Sequence, residues 1–319
     1  MSITKLIDEN LSLIEKIQNR EEIHGETPVD WVFYRQFEEP FAKDLVKKFD
    51  SFWKDKLKRV SKDSYKIQAP DTIDKAVVII LDMINEWQGD FAQSIEKPVK
   101  TEIEKQYIYG KVKADTDVKA KRVLQKRAPD ATIGIGLDKV DKDIINFMDS
   151  STTFYTGKVF AEHADEMERT IRSAFVTDGL GNRTMKKALI DVTGIATEKA
   201  WHMDMIARTS ANRIANWSRL VTFRSRGVHT IEIVATNDRR TCPYCEYMDG
   251  TTWTVEKAYE QIQEVTSADP SALPDIIPFV YDKSIPETLS EDAFAKVGSI
   301  TPPYHCHCRC LFIIDSFID

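Results

Sequence analysis

The sequence predicts an α+β fold, with long helices in the N-terminal and middle regions followed by a small C-terminal module that contains a β-hairpin. Helices are predicted because apolar residues recur at steps of three and four over most of the chain up to Arg226. Strands are predicted because "VHTIEIVAT", which follows Gly227, alternates polar and apolar residues and is rich in β-branched side chains. We therefore divide the chain into a helical docking region (1–130), a helical middle region (139–226) and a small α+β module (227–319).

The composition is that of a globular protein, with 30% charged and 42% hydrophobic residues. The net charge of -7 argues against a protein that coats nucleic acid along its whole surface. The longest apolar run, "AVVIIL", is far shorter than the roughly 20 residues that a membrane-spanning helix needs, and the N-terminus lacks the pattern of a secretory signal. We expect no membrane segment and a reducing cytosol, where paired cysteines more often bind metal than form disulfides.

Amphipathic helices are predicted throughout the docking region. One carries isoleucines and leucines over 3–17, another carries an aromatic ridge, a third covers 72–95 and ends before Pro98, and a fourth covers 100–126. The ridge is explained either by ordinary core packing or by a docking surface for another subunit. Its members are Phe37, Phe41, Leu45, Phe49 and Phe52.

A turn-rich connector, 127–139, precedes the helices of the middle region. Its Gly134 and Gly136 lack the third glycine and the strand-to-helix context of a phosphate-binding loop. The helices predicted after it are 139–149, 155–176, one that starts with Thr184 as N-cap and ends near 192–194, and 197–226, which Gly227 closes.

The last of these helices is basic in an otherwise acidic protein. One interpretation is a solvated face or salt bridges to neighbouring helices. The other is contact with nucleic acid or an acidic partner. The arginines concerned are Arg208, Arg213, Arg219, Arg224 and Arg226.

Within the C-terminal module, a turn at Asp249 and Gly250 is predicted to lead to a second strand and so to complete a hairpin. A helix is predicted over 255–265 and a long loop, rich in Pro, Ser and Asp, over 266–285. The stretch "CLFIIDSF" predicts a final strand.

The five cysteines of the chain lie in two short stretches of this module, "TCPYC" and "HCHCRC". In each stretch two soft ligands are three residues apart, and two such pairs could complete a tetrahedral zinc site. The candidate metal ligands are Cys242, Cys245, His305, Cys308 and Cys310. Cys306 and His307 are alternative ligands, because an extended strand would place 306, 308 and 310 on one face and 305 and 307 on the other.

A zinc ion here is expected to be structural. Catalytic zinc keeps one position open, whereas this chain offers more ligands than a tetrahedral site needs. Zinc that joins the two stretches would offset the entropy of closing the long loop, so the module is predicted to be stabilised by zinc and to depend on it for folding. We expect no catalytic residue. The alternative interpretation is that the cysteines are merely buried or redox-labile.

The two stretches and their surroundings resemble the C-terminal signature of the phage Mu F-like minor head proteins, also called phage head morphogenesis proteins. The preceding "IARTSANRIAN" resembles the Ala-Arg-Thr-Glu helix of that family, with Ser210 in place of the usual Glu. The likeness covers about 140–315 and not the first 130 residues. The signature is met by Asp238, Arg240, Thr241, Cys242, Cys245, Asp249, Gly250, Pro302, Pro303, His305, Cys308, Arg309 and Cys310.

The resemblance implies a low-copy minor capsid protein of a tailed phage or prophage. Such a protein would associate with the portal protein, and with scaffold or major capsid protein as further partners, and would assist head assembly or DNA packaging and ejection. It would reside in the virion head near the portal, and in the host cytoplasm during assembly. The middle region and the module would together form the head-morphogenesis domain, while the docking region would bind the portal or scaffold.

Two other functions stay open at this stage. One is a zinc-supported nuclease of the His-Asn-His type, which would need a general-base histidine beside an Asp or Asn. The histidines near the cysteine motifs are His229, His305 and His307, and none precedes a helix as an Asp-His or His-His pair. The other is a DNA-binding protein that uses the basic helix 199–226 and contacts packaged DNA.

Overall fold

The predicted α+β class is confirmed by a computed structural model, which describes residues 34–61, 70–124, 137–159, 163–235, 241–276, 300–306 and 308–318. Helices dominate this part of the chain, and a small antiparallel sheet lies near its C-terminal end. The apolar pattern over 3–17 and residues 277–285 of the predicted long loop lie outside the described residues. None of the described helices combines the length and apolar character that a membrane span requires.

The elements follow the chain in this order. A π-helical turn at Tyr34–Glu38 leads into α1 (Glu39–Ser61), α2 (Ile73–Leu124), α3 (Lys139–Thr156), α4 (Ala164–Asp178), α5 (Asn182–Glu198) and α6 (Ala200–Ser225). The C-terminal part contains β1 (Val228–Val234), α7 (Pro243–Met248), β2 (Thr252–Thr254), α8 (Val255–Thr266), a 3₁₀ turn (Pro270–Ala272), α9 (Leu273–Ile276) and β3 (Leu311–Phe317).

The chain forms two compact units that are not consecutive in sequence. The first unit combines Met1–Pro40, Thr101–Met148 and Arg208–Asp319, and the second combines Phe41–Lys100 and Asp149–Ala207. The three consecutive regions predicted from the sequence do not coincide with these units. The reason is that each unit is held by packing between segments that are distant along the chain.

The predicted helix break at Pro98 is wrong, because Pro98 lies inside the continuous helix α2. Proline removes one backbone hydrogen bond and crowds the preceding turn. The apolar positions on either side, Ile95 and Val99, keep helical spacing and are both 1% exposed. Their burial offsets the local cost of the proline, so the helix continues where the sequence predicted a stop.

Four of the five residues of the aromatic ridge are buried in the core, as one of its two interpretations stated. In the second unit Phe41, Leu45 and Phe49 are buried, and the Phe49 ring lies edge-on to Phe91 with centroids 5.3 Å apart. In the first unit Phe37 is buried against Tyr109, with ring centroids 4.6 Å apart. The remaining member, Phe52, is only half-buried.

The boundaries predicted for the middle helices were also partly wrong. Helix α3 extends to Thr156, and α5 has Gly181 rather than Thr184 as its N-cap. Thr184 is instead buried in the first turn of α5. The helix continues past Gly194 to Glu198 because Val192 and Ala196 bury the same face on both sides of the glycine.

The three strands form one antiparallel sheet in the order β2-β1-β3. The central strand β1 buries Ile231 and Ile233, which are both 0% exposed. The turn predicted at Gly250 is present, with φ of 77° at this glycine. The connection from β1 to β2 also contains the short helix α7, which the sequence did not predict.

Candidate metal centre

The first half of the centre is the N-terminal turn of α7. Cys242 is the N-cap residue, and its Sγ accepts a hydrogen bond from the Cys245 backbone N–H over 3.4 Å. Pro243 follows at the first helical position, where a proline costs no hydrogen bond. The hydrogen bond fixes the Cys242 side chain at the N-terminus of α7.

The Asp-Gly pair of the sequence signature anchors this turn to the sheet. The Asp249 carboxylate accepts a hydrogen bond from the Ala235 backbone N–H at 2.7 Å, directly after β1. The Gly250 N–H donates to the Ile233 carbonyl at 2.8 Å. These contacts hold the end of α7 against the end of β1 and so help to place Cys242 and Cys245.

The second half is a turn rather than an extended strand. The Cys308 N–H donates to the His305 carbonyl at 3.1 Å, so the predicted alternation of faces from 305 to 308 is wrong. The Nδ1 atom of His305 lies 2.7 Å from the Cys306 carbonyl oxygen. With its N–H at Nδ1 donating to this oxygen, a neutral His305 ring would present Nε2 as the ligand atom.

The two halves of the centre contact each other, and all five candidate ligand residues lie at this contact. His305 Nε2 is 3.1 Å from Cys242 Sγ and 3.0 Å from Cys245 Sγ. Cys245 is shared between two sets of mutually close ligand atoms, and its Sγ is 3.7 Å from that of Cys308. The sets are Cys242, Cys245 and His305, and Cys245, Cys308 and Cys310. Neither includes Cys306, and His307 lies outside the described residues.

The sulfur atoms carry linked protonation states. Hydrogen bonding to Cys308 raises the pKa of Cys245, and hydrogen bonding to Cys245 and Cys308 raises that of Cys310. Burial acts to raise the pKa of Cys308, but the S–H groups of Cys245 and Cys310 that donate to it lower this pKa well below its usual range. The three sulfurs are therefore linked through hydrogen bonds, and a divalent cation would let all three ionise.

The donor set fits a soft divalent metal ion. Sulfurs bound tetrahedrally with bonds of roughly 2.3 Å lie about 3.8 Å apart, and the separation of 3.7 Å between Cys245 and Cys308 agrees with this. The ligand residues are buried, and the rings of Tyr244 and Tyr304 pack beside them with centroids 5.6 Å apart. Burial raises the pKa of both phenols, so both stay protonated and add no charge.

Asparagine side chains from α6, which the sequence reasoning missed, hold the strand that follows the second half. The Nδ2 atoms of Asn212 and Asn216 lie 3.3 and 3.1 Å from the Cys310 carbonyl oxygen. A signal was present, because two asparagines four residues apart share one helix face within "IARTSANRIAN". Only the tertiary contact shows what that face touches.

Four arginines of the predicted basic helix form ion pairs with acidic residues of the protein. Arg208 pairs with Glu38 at 3.2 Å, Arg219 with Asp117 at 2.8 Å, Arg224 with Glu256 at 2.9 Å, and Arg226 with Asp115. Arg213 is 5% exposed. This geometry favours the interpretation of salt bridges to neighbouring elements, and contact with nucleic acid stays a prediction.

The geometry also bears on the nuclease alternative. Both ring nitrogens of His305 face protein atoms, Nδ1 the Cys306 carbonyl and Nε2 two sulfurs. His305 is therefore placed as a ligand and not as a general base. His229 lies exposed on β1.

The fold and the cluster together define a class of protein: a helical protein whose small sheet carries a buried Cys/His metal-type centre. Residues 165–313 match the family model described as "Phage Mu protein F like protein". This match confirms the resemblance of this part of the chain to the phage Mu F-like family of head morphogenesis proteins. Comparisons with curated proteins and with solved structures gave no match.

Proposed function

We propose that this protein is a minor capsid protein of a tailed phage or prophage, associated with the portal vertex, that assists head assembly or DNA packaging and ejection. The family of its C-terminal half is a structural family of phage head morphogenesis. The observation that carries the proposal is the buried convergence of five soft ligands inside the segment that matches this family. A catalytic zinc typically uses three protein ligands, so this surplus supports a structural centre.

The proposed ion is zinc, and its proposed role is to hold the C-terminal module together. Thiolates and a neutral imidazole are the ligands that structural zinc prefers. The ion would join α7 to the chain after residue 300, two parts that the long intervening segment separates. The module would then act as a rigid element on a helical base.

The proposed partner is the portal protein, with scaffold and major capsid protein as further partners. The described helices of the docking region bury the aromatic ridge, so a docking surface would consist of other residues of that region. Contact with packaged DNA would occur through arginine side chains that remain partly exposed, and Arg224 is such a side chain at 43% exposure.

Co-purification from infected or induced cells tests this function. Procapsids and mature heads are isolated, and the protein is quantified against the portal protein by mass spectrometry. We expect a low, fixed ratio to portal protein and its loss from particles in which the portal is missing. Absence from procapsids and mature heads alike would overturn the proposal. A plasmid-nicking assay with added divalent metal is expected to show no cleavage above that of the His229→Ala variant.

A further inference from the structure

We propose that Asn216, supported by Asn212, is a positioning residue that fixes Cys310 as a metal ligand, so that α6 is part of the metal centre. The inference rests on the proposed metal centre. It goes further by naming which chain segment holds the last cysteine of the cluster and by including Cys310 in the ligand set.

Asn216 takes the place of a neighbouring strand at the edge of β3 that, within the described residues, pairs with no other strand. Its Nδ2 donates to the Cys310 carbonyl at 3.1 Å, and its Oδ1 accepts from the Phe312 N–H at 3.1 Å. A strand presents the groups of residues i and i+2 on the same side, so one amide side chain can satisfy both. The other side of β3 is paired with β1. The Cys310 backbone is therefore fixed immediately before the strand begins.

Asn212 fixes the orientation of this amide and adds a second donor. Its Oδ1 accepts from Asn216 Nδ2 at 3.0 Å, while its own Nδ2 donates to the Cys310 carbonyl at 3.3 Å. Asn216 is 1% exposed and Asn212 is 7% exposed, so water does not compete for these bonds. Two buried donors thus converge on the carbonyl of a residue whose thiol lies in the cluster.

A purely structural role would be to cap the open edge of β3, and the protein contains a matched example of such a cap. Lys121 of α2 donates to the Ile314 carbonyl at 3.0 Å, on the same edge and two residues beyond Phe312. Ile314 is not a ligand residue. A Lys121→Met variant therefore removes an edge cap without touching the backbone of the metal ligands, and it controls for loss of strand stability.

The experiment compares Asn216→Ala, Asn216→Asp and Lys121→Met in the full-length protein. Asn216→Asp keeps the acceptor for Phe312 but loses the donor to Cys310, and it serves as the second variant if Asn216→Ala fails to fold. The readouts are zinc affinity by chelator competition and the sulfur-to-cobalt charge-transfer absorption of the cobalt-substituted protein, which reports bound thiolates. We expect both Asn216 variants to bind zinc about tenfold or more weakly and to lose charge-transfer intensity toward that of Cys310→Ala. Lys121→Met is expected to keep both values.

A double-variant comparison separates positioning from general stability. In a Cys310→Ala background, Asn216→Ala should cause no further loss of zinc affinity, since the ligand it positions is gone. Unchanged affinity and absorption in the Asn216 variants, or an equal loss in Lys121→Met, would overturn this inference and leave the metal centre standing. If the unaltered protein binds neither zinc nor cobalt, the metal centre itself fails and this inference fails with it.

Discussion

The Nε2 atom of His305 lies 3.0 Å from the Sγ atom of Cys245, although the two residues are 60 positions apart in the chain. Closing a chain segment of this length costs conformational entropy, and the cost grows slowly with length. A metal ion bound at this contact would offset that cost. The ion would bind the folded module and not the unfolded chain, in which a preformed site rarely exists. Metal binding at this contact would therefore stabilise the folded module.

Substitution of Cys245 is expected to remove the metal, whereas substitution of Cys306 is not. Cys245 belongs to both sets of ligand atoms, and Cys306 belongs to neither. Metal analysis of the purified protein should give about one zinc ion per chain for Cys306→Ala and far less for Cys245→Ala. Full zinc content in Cys245→Ala would contradict a single centre around this sulfur.

Metal retention is expected to weaken as the pH falls. The metal-free cluster carries protons on Cys245 and Cys310, whose pKa values are raised, whereas the metal-bound form must have lost them. The metal-free form therefore binds more protons, and acid favours it. Chelator competition at pH 7.5 and 6.0 checks the sign, with tighter binding expected at pH 7.5. An affinity that does not change over this range would argue that the thiols are not ligands.

His202 is expected to make folding of the second unit sensitive to acid. Burial, together with the nearby charges of His163 and Lys199, lowers the pKa of His202 to about 4. The unfolded chain takes up a proton near pH 6.5 and the folded chain does not, so the unfolding free energy falls as the pH drops from about 6.5 to about 4. Urea denaturation should show that the unaltered protein loses about 2 kcal/mol more than His202→Gln between pH 7.5 and pH 5.0.

The control for that experiment is His229→Gln, since His229 is exposed on β1. This variant should lose as much free energy with acid as the unaltered protein. Equal acid sensitivity in all three proteins would show that His202 is not held neutral by burial.

Gly110 of α2 is expected not to tolerate a methyl group. A Cβ atom there would lie 1.8 Å from Ser218 Oγ and 3.0 Å from the Ala215 carbonyl oxygen of α6. Gly110→Ala should lower the unfolding free energy by roughly 1–3 kcal/mol, as overpacking does. Adding Ser218→Ala should restore only part of this loss, because the Ala215 carbonyl remains close. The measurement is chemical denaturation.

Gly89 provides the matched control on the same helix. A Cβ atom at Gly89 would meet nothing within 4 Å. Gly89→Ala should therefore raise the unfolding free energy by about 0.5–1 kcal/mol through helix propensity alone. A loss of similar size in both variants would mean that the close approach at Gly110 is not the cause.

The residues of the candidate centre could be selected from the sequence, since paired soft ligands three residues apart are typical of zinc sites. Whether 305–308 forms a turn or a strand could not be predicted from the sequence, because it depends on the hydrogen bond from the Cys308 N–H to the His305 carbonyl. The role of Asn216 could not be predicted from the sequence either. Its helix spacing indicated a polar position on α6, but its partners, Cys310 and Phe312, lie 94 and 96 residues away.

The sequence by itself determined the helical character of most of the chain, the location of the sheet and the soft ligands, because periodicity and ligand spacing are local properties. The tertiary structure decided the rest. Helix α2 continues through Pro98 because Ile95 and Val99 are buried on either side of it. Arginines of α6 pair with acidic residues of other elements, and His305 lies in contact with Cys245. These outcomes depend on contacts between distant segments, whose free energy is set by packing and burial that no short stretch of sequence contains.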